Sequence, residues 1–351
     1  MTAARPVDAA FTKRLPKIEL HAHLSGSISR QSLHETWAQL KAETPAFSLE
    51  DPLTAMPSSK VDYDINTFFP LFSTYIHHLI TTLPALTSTT HSVLSSFAHD
   101  SVIYAELRTT PRAQPSFTKA EYVSTILDCI ASPGHSPLTC ALILSIDRSN
   151  TAAEAMEVVD LAVRYRARGV VGVDLCGNPA RGDVGIYRDA FGKAKAEGLG
   201  VTLHFAEVAA AGGEEELWTL LGYGPDRIGH VIHVSEEVKR EIIRRRVGLE
   251  FCLSCNVHAK LIDGGIGDHH LRWWRGKGCP IALCTDDVGV FCSPLSNEFL
   301  LAAEHFKLSR KDLVELCSDS VGMIFGDDEQ KRRLRSLLVT FGKEENLALD
   351  A

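Results

Sequence analysis

The chain alternates two hydrophobic rhythms. Apolar, β-branched runs six to nine residues long are each followed by a longer stretch in which apolar residues recur every three or four positions. The runs read KIELHAH, VIYAELRTT, TCALILSID, VVGVDLCG, GVTLHFAE, RIGHVI, GLEFCLS and CPIALCTDD. Continuous apolar runs suit strands buried on both faces, and the three-to-four spacing suits amphipathic helices packed over them. Eight such alternations predict a closed (β/α)8 TIM barrel. NTAAEAMEVVDLAVRYRARG reads as one of the crossover helices, with Asn150 near its start, a basic last turn and Gly169 beyond it.

One region breaks the rhythm. Residues 29–100 hold three helical stretches between the first and second predicted strands, among them INTFFPLFSTYIHHLI, and these are expected to build a cap or wall over one rim. The Pro-containing LKAETPAFSLEDPLTAMPSSK reads as a mobile surface loop. No repeat, low-complexity tract or linker divides the sequence. Residues 1–351 are therefore read as a single barrel domain carrying a helical insertion.

Composition narrows the function. A hydrophobic fraction of 45% supplies a large core, and a net charge of -8 with no basic block longer than Arg244–Arg246 argues against nucleic-acid binding. No run approaches the ~18 apolar residues of a membrane span, and MTAARPVDAAFTKRLPK lacks the apolar core of a signal peptide, so a soluble cytoplasmic monomer is expected. Nine cysteines, with Cys140, Cys176 and Cys284 inside apolar runs, point to buried thiols and no disulfides. Cys252 and Cys255 in CLSC have the spacing of a redox or zinc pair, but no second pair stands at zinc spacing, and they too are read as structural.

In such barrels active sites gather at the C-terminal ends of the strands. There the sequence places His21 and His23, then Glu106, Arg108, Thr109 and Thr110, then Asp147, Gly177, His204, Glu207, His230, Asp286 and Asp287. His21 and His23 leave one strand on the same face. With His204 and Asp286 they supply the N and O donors that a catalytic zinc needs, one ion per chain. Singly, His204 could be a hydrogen-bonded core histidine and Asp286 a helix cap; together, at matching strand ends, they read as a metal site. Zinc lowers the pKa of a bound water to about 7, so hydroxide is available at neutral pH. Glu207, three residues beyond a donor, is the candidate general acid, and His230 the group that holds the hydroxide.

HAHLSGS, VDLCGNP, LHFAE, DRIGH and CTDD, in this order and spacing, resemble the adenosine deaminase family of zinc hydrolases over nearly the whole chain. YAELRTTPR, SIDRS and LEFCLSCNV bring the sequence nearest the adenosine deaminase-like branch, the N6-methyl-AMP deaminases. The resemblance implies zinc on His21, His23, His204 and Asp286. It implies that Glu207 protonates purine N1 while hydroxide attacks C6, that the Gly177 N–H reaches N3, and that Asp287 faces the N7 side. His23 and Asp147 are counted among the substrate contacts. Two positions depart from the family pattern: Val231 stands where a Gly often follows the strand-six His, and Ser25 where the nucleotide branch has Asn and the nucleoside deaminases Asp. A neutral Ser25 leaves room for a 5′-phosphate that a carboxylate would repel. Arg108, with a forked charged donor, and the hydroxyls of Thr109 and Thr110 are the expected phosphate contacts, the alternative for Arg108 being a pair with Glu106 that braces the barrel. His77 or His78 on the inserted helix is expected to reach the substrate. The expected reaction is N6-methyl-AMP to IMP and methylamine. Free adenosine is the alternative substrate, another metal hydrolase on the same scaffold a more distant reading, and a non-catalytic purine sensor the non-enzyme reading.

Overall fold

The computed structural model describes residues 5–348. Eight parallel strands pair in sequence order: β1 (Lys17–His23), β2 (Val102–Thr109), β3 (Thr139–Asp147), β4 (Val170–Cys176), β5 (Gly200–Phe205), β6 (Arg227–His230), β7 (Gly248–Phe251) and β8 (Ile281–Leu283). The circle closes through a bridge between Ala22 and Asp286, where the His23 N–H donates to Asp286 O at 2.9 Å and the Asp286 N–H to His21 O at 2.7 Å. This is the predicted (β/α)8 barrel.

Strand ends differ from the sequence pattern where side chains capture backbone. β7 stops at Phe251 because the chain turns into the helix Leu253–His258, with Glu298 accepting the Ser254 N–H. β8 stops at Leu283, beyond which Glu19 accepts from the N–H and hydroxyl of Thr285. The helix Ala152–Tyr165 starts on Thr151, which exchanges hydrogen bonds with Glu154, so its cap lies one residue beyond Asn150.

Period-two alternation sends Glu106 and Arg108 into the barrel, while Ala105 and Leu107 pack outward. Glu250 sits at the centre, accepting from Arg108, Arg227 and Thr202 at 2.7–2.9 Å. The Phe325 ring plugs the floor, 3.8 Å from the Arg227 guanidinium. Gly172 and Gly200 make room for it, since a Cβ on either would come within 2.8 and 2.4 Å of that ring.

The insertion forms a wall over the barrel mouth from the helices Arg30–Glu43, Ile65–Leu71 and Leu83–His99. The segment expected to be mobile is tied to it. Asp51 caps the short helix Pro52–Ala55 and bonds His34 Nδ1 at 2.8 Å, the Trp37 indole donates to Leu49 O, and Met56 is buried. Phe72–Ile76 form a π-helical turn, one residue longer per turn than an α-helix. Among the described residues no helix is long and apolar enough to cross a membrane.

Candidate active site

His21 and His23, alternating on β1, both face the mouth, and His204 reaches them from β5. Its Nε2 lies 3.2 Å from His21 Nε2 and 3.0 Å from His23 Nε2. Asp286 Oδ1 is 3.5 and 3.4 Å from the same two nitrogens. The far side of two rings is fixed: His21 Nδ1 donates to Glu250 at 2.7 Å, and His204 Nδ1 to Leu175 O at 2.8 Å. Their Nε2 lone pairs therefore point at a common centre, shared with a third imidazole and a carboxylate. Donors crowded in this way repel one another unless a cation lies among them, so the residues fit a tetrahedral N/O metal site. A second buried grouping, His230, Cys252 and Asp286, shares the carboxylate. Burial raises the Cys252 thiol well above its ordinary pKa, which favours the N/O set as the candidate metal site.

The backbone around these side chains is strained. Ala206, His230, Val231 and Asp286 all adopt positive φ, between 53° and 65°. For the β-branched Val231 this is unusual, and it lies where the family pattern favours Gly. Such outliers persist where surrounding structure over-determines them, commonly at functional sites.

Glu207 is buried, one carboxylate oxygen has no partner, and burial pushes its pKa up to about 7. It can therefore carry a proton at neutral pH. Burial and the neighbouring Asp286 likewise push Asp287 up, and its Oδ1 is unpartnered. Gly26 makes Asp287 possible: a Cβ there would fall 1.5 Å from that oxygen. His230 Nε2, also without a partner, lies 3.9 Å from Glu207 and 3.8 Å from Asp286, and burial holds the ring neutral.

A cavity of ≈ 510 Å³ opens above this cluster. His23, Ser25, Thr109, Thr110, Asp147, Gly177, Glu207 and Asp287 line it, as expected. The Thr109 hydroxyl is bonded to Tyr122, and that of Thr110 stands 3.5 Å from Cys176 Sγ. The Asp147 carboxylate accepts from Ser149 and packs on Gly177, whose φ of 95° and 2.8 Å clearance leave no space for a side chain. His77 lines the cavity and His78 is exposed, because the extra residue of the π-turn brings His77 round beside Phe72.

Arg108 is a correction. Its side chain is wholly buried below the cavity, donating to Asp174, Glu250 and Leu20 O, and it cannot meet a substrate phosphate. Arg112, four residues on and past Pro111, lines the cavity instead, with Arg181. Arg112 forms no ion pair among the described residues, and burial lowers its pKa. Sequence reasoning passed over it, although it ends the YAELRTTPR motif. Aromatic residues of the wall, Phe68, Phe69 and Phe72, complete the lining and had no sequence signal beyond an amphipathic helix.

A (β/α)8 barrel that gathers three imidazoles and a carboxylate over its strand ends, with a protonatable glutamate beside them, has the architecture of the metal-dependent hydrolases. The chain belongs to the adenosine deaminase family, whose sequence profile, Adenosine deaminase, matches residues 16–341. It is accordingly a hydrolytic deaminase. It is 35% identical to the N6-mAMP deaminase of Arabidopsis thaliana over 93% of this chain and 96% of that one. The N6-Methyl-AMP deaminase of Homo sapiens is 33% identical, with 94% of each chain covered. The crystal structure of Arabidopsis ADAL complexed with IMP superposes with a TM-score of 0.88 at 34% identity, over 95% of this chain and 99% of that one.

Proposed function

We propose that this deaminase acts on a 6-substituted purine nucleotide, N6-methyl-AMP first among them, giving IMP and methylamine with water as co-substrate. The observation that carries the nucleotide reading is Arg112, an unpaired guanidinium in the same cavity as Glu207 and the donor cluster. A half-buried charge without an ion pair is poorly solvated, and a phosphate dianion offsets that cost. The neutral Ser25 on the same wall puts no carboxylate in competition. The names of the relatives, and the IMP held by one of them, support this reading.

His21, His23, His204 and Asp286 would hold the metal, with zinc suited to the N/O donor set. When bound, the ion supplies the Lewis acidity that makes water nucleophilic at neutral pH. The chain's own groups do the rest. Glu207 gives its proton to purine N1 as water adds to C6, drawing electron density away from the carbon under attack. His230 donates to the attacking oxygen, the Gly177 N–H orients N3, and Asp287 faces N7. Of the two protons of the added water, one goes to the amine nitrogen and the other restores Glu207; the C6–N6 bond then breaks, the C6 oxygen becomes a carbonyl and methylamine leaves. Arg112, with Arg181, Thr109 and Thr110, receives the 5′-phosphate, while His77 and the wall aromatics close over the nucleotide. The reading includes a monomer, since one chain supplies the whole cavity, and the cytosol, since all nine cysteines are unpaired.

Turnover of adenosine, AMP, N6-methyladenosine and N6-methyl-AMP, with product detection, tests the substrate. The methylated monophosphate should have the highest kcat/KM. A preference for adenosine over both monophosphates would overturn the nucleotide assignment.

A further inference from the structure

His230 is held by two neighbouring histidines that the mechanism above does not use. His269 Nδ1 lies 3.0 Å from the backbone N–H of Leu271. A backbone amide only donates, so Nδ1 must accept, and the proton of a neutral His269 is on Nε2. The ring is neutral, because burial pushes its pKa down to about 2. Its Nε2–H can then only donate, and at 2.9 Å it meets Asn256 Oδ1. That fixes the amide of Asn256, and its NH2 group faces His230 Nδ1 at 2.9 Å. Nδ1 of His230 must therefore accept, leaving the proton on Nε2.

The backbone is fixed from the same place. His270 Nε2 lies 2.5 Å from the carbonyl oxygen of His230, which can only accept. The bond secures the residue whose φ is 65° at the end of β6. His269 and His270 stack with ring centroids 4.2 Å apart, so one rigid pair anchors both the main chain and the side chain of His230.

We propose that His269 and Asn256 are positioning residues that set the tautomer of His230, so that it presents an N–H and never a lone pair to the reacting centre. Nε2 is the atom left without a partner between Glu207 and Asp286. An N–H there stabilises the negative charge that grows on the attacking oxygen as it bonds to the purine carbon. The same polarity denies His230 the role of general base, since its one lone pair is already engaged by Asn256. The function of the relay rests on the deaminase reading. Its polarity rests only on the backbone N–H of Leu271.

The test reads the tautomer directly. In full-length, as-purified protein labelled with 15N-histidine, two-bond proton–nitrogen spectra distinguish Nε2–H from Nδ1–H, and His230→Gln identifies the signals by their loss. Wild type should show Nε2–H. Asn256→Asp keeps the shape and still accepts from His269, but its carboxylate must also accept from His230, so the spectrum should switch to Nδ1–H. kcat should then fall by about a hundredfold or more, with KM changed much less, as expected when a catalytic imidazole is held in the wrong tautomer. His269→Gln can still accept from Leu271 and donate to Asn256, and should keep at least tenfold more activity than Asn256→Asp. Should Asn256→Asp fail to fold, His269→Phe removes the fixed donor, and a mixture of tautomers is expected. An Nδ1–H signal in wild type, a variant spectrum that does not move, or a switch that leaves kcat intact would each overturn the proposal. The spectra need no substrate. Loss of the deaminase reading would show separately, as a wild type inert toward every purine tested.

Discussion

His21 and Glu250 are joined by a 2.7 Å hydrogen bond in which the ring Nδ1–H donates to a wholly buried carboxylate. The bond turns the Nε2 lone pair of His21 toward His204 and Asp286 and raises the basicity of the ligand. Loss of such an outer partner typically weakens metal binding ~10- to 100-fold. Glu250→Gln should therefore lower zinc affinity by that factor in a chelator competition. His21→Ala and Asp286→Ala should abolish both bound metal and turnover.

Glu207→Gln keeps the size of the side chain and removes its acidic proton. kcat should fall by at least ~10²-fold, with metal content unchanged, measured by steady-state kinetics beside elemental analysis. Near-normal turnover would assign the proton to another group.

Arg108 and Arg112 should fail in different ways. Arg108→Ala removes the partner of buried Glu250 and Asp174 and should cost about 3–5 kcal/mol in denaturant unfolding, whatever the substrate. Arg112→Ala should fold normally and lose about ten- to a hundredfold in kcat/KM toward N6-methyl-AMP, the worth of a charge-assisted hydrogen bond. Its slow reaction with N6-methyladenosine should stay nearly the same. Equal losses on nucleoside and nucleotide would count against a phosphate role.

Lys17 gives a pH signature away from the site. Its buried ammonium donates to Thr12 O and Leu15 O, and burial lowers its pKa to about 8 from 10.5. Between those values the unfolded chain binds more protons than the folded one, so this residue makes stability rise with pH across that window. The rise is on the order of 2–3 kcal/mol. Unfolding of wild type and Lys17→Met at pH 8, 9 and 10 should show the slope in the first and its loss in the second.

The barrel and its donors were legible because both follow from short-range periodicity. Alternation along β1 puts His21 and His23 on one face, and strand ends mark where polar groups converge. What the pattern could not convey is the course of a long side chain. Arg108 does face inward, level with His23 in the strand register, but its guanidinium turns down to the carboxylates of Asp174 and Glu250. Arg112 lies past Pro111, where no periodicity applies. His77 and His78 could not be separated because a π-turn has no sequence period of its own. Asn256 was visible only as a letter in the LEFCLSCNV motif, since its importance depends on two hydrogen bonds to residues 26 and 13 positions away.

The closing bridge of the barrel has a mechanical meaning. The first and last strands are held together at the Ala22–Asp286 bridge by two backbone bonds whose partners are the donor residues His21, His23 and Asp286 themselves. An ion gripped by those side chains would rivet a seam that the backbone already closes. A chelated protein should unzip here first. Amide hydrogens of His23 and Asp286 should then exchange with solvent much faster, while those between β3 and β4, far from the rivet, keep their pace.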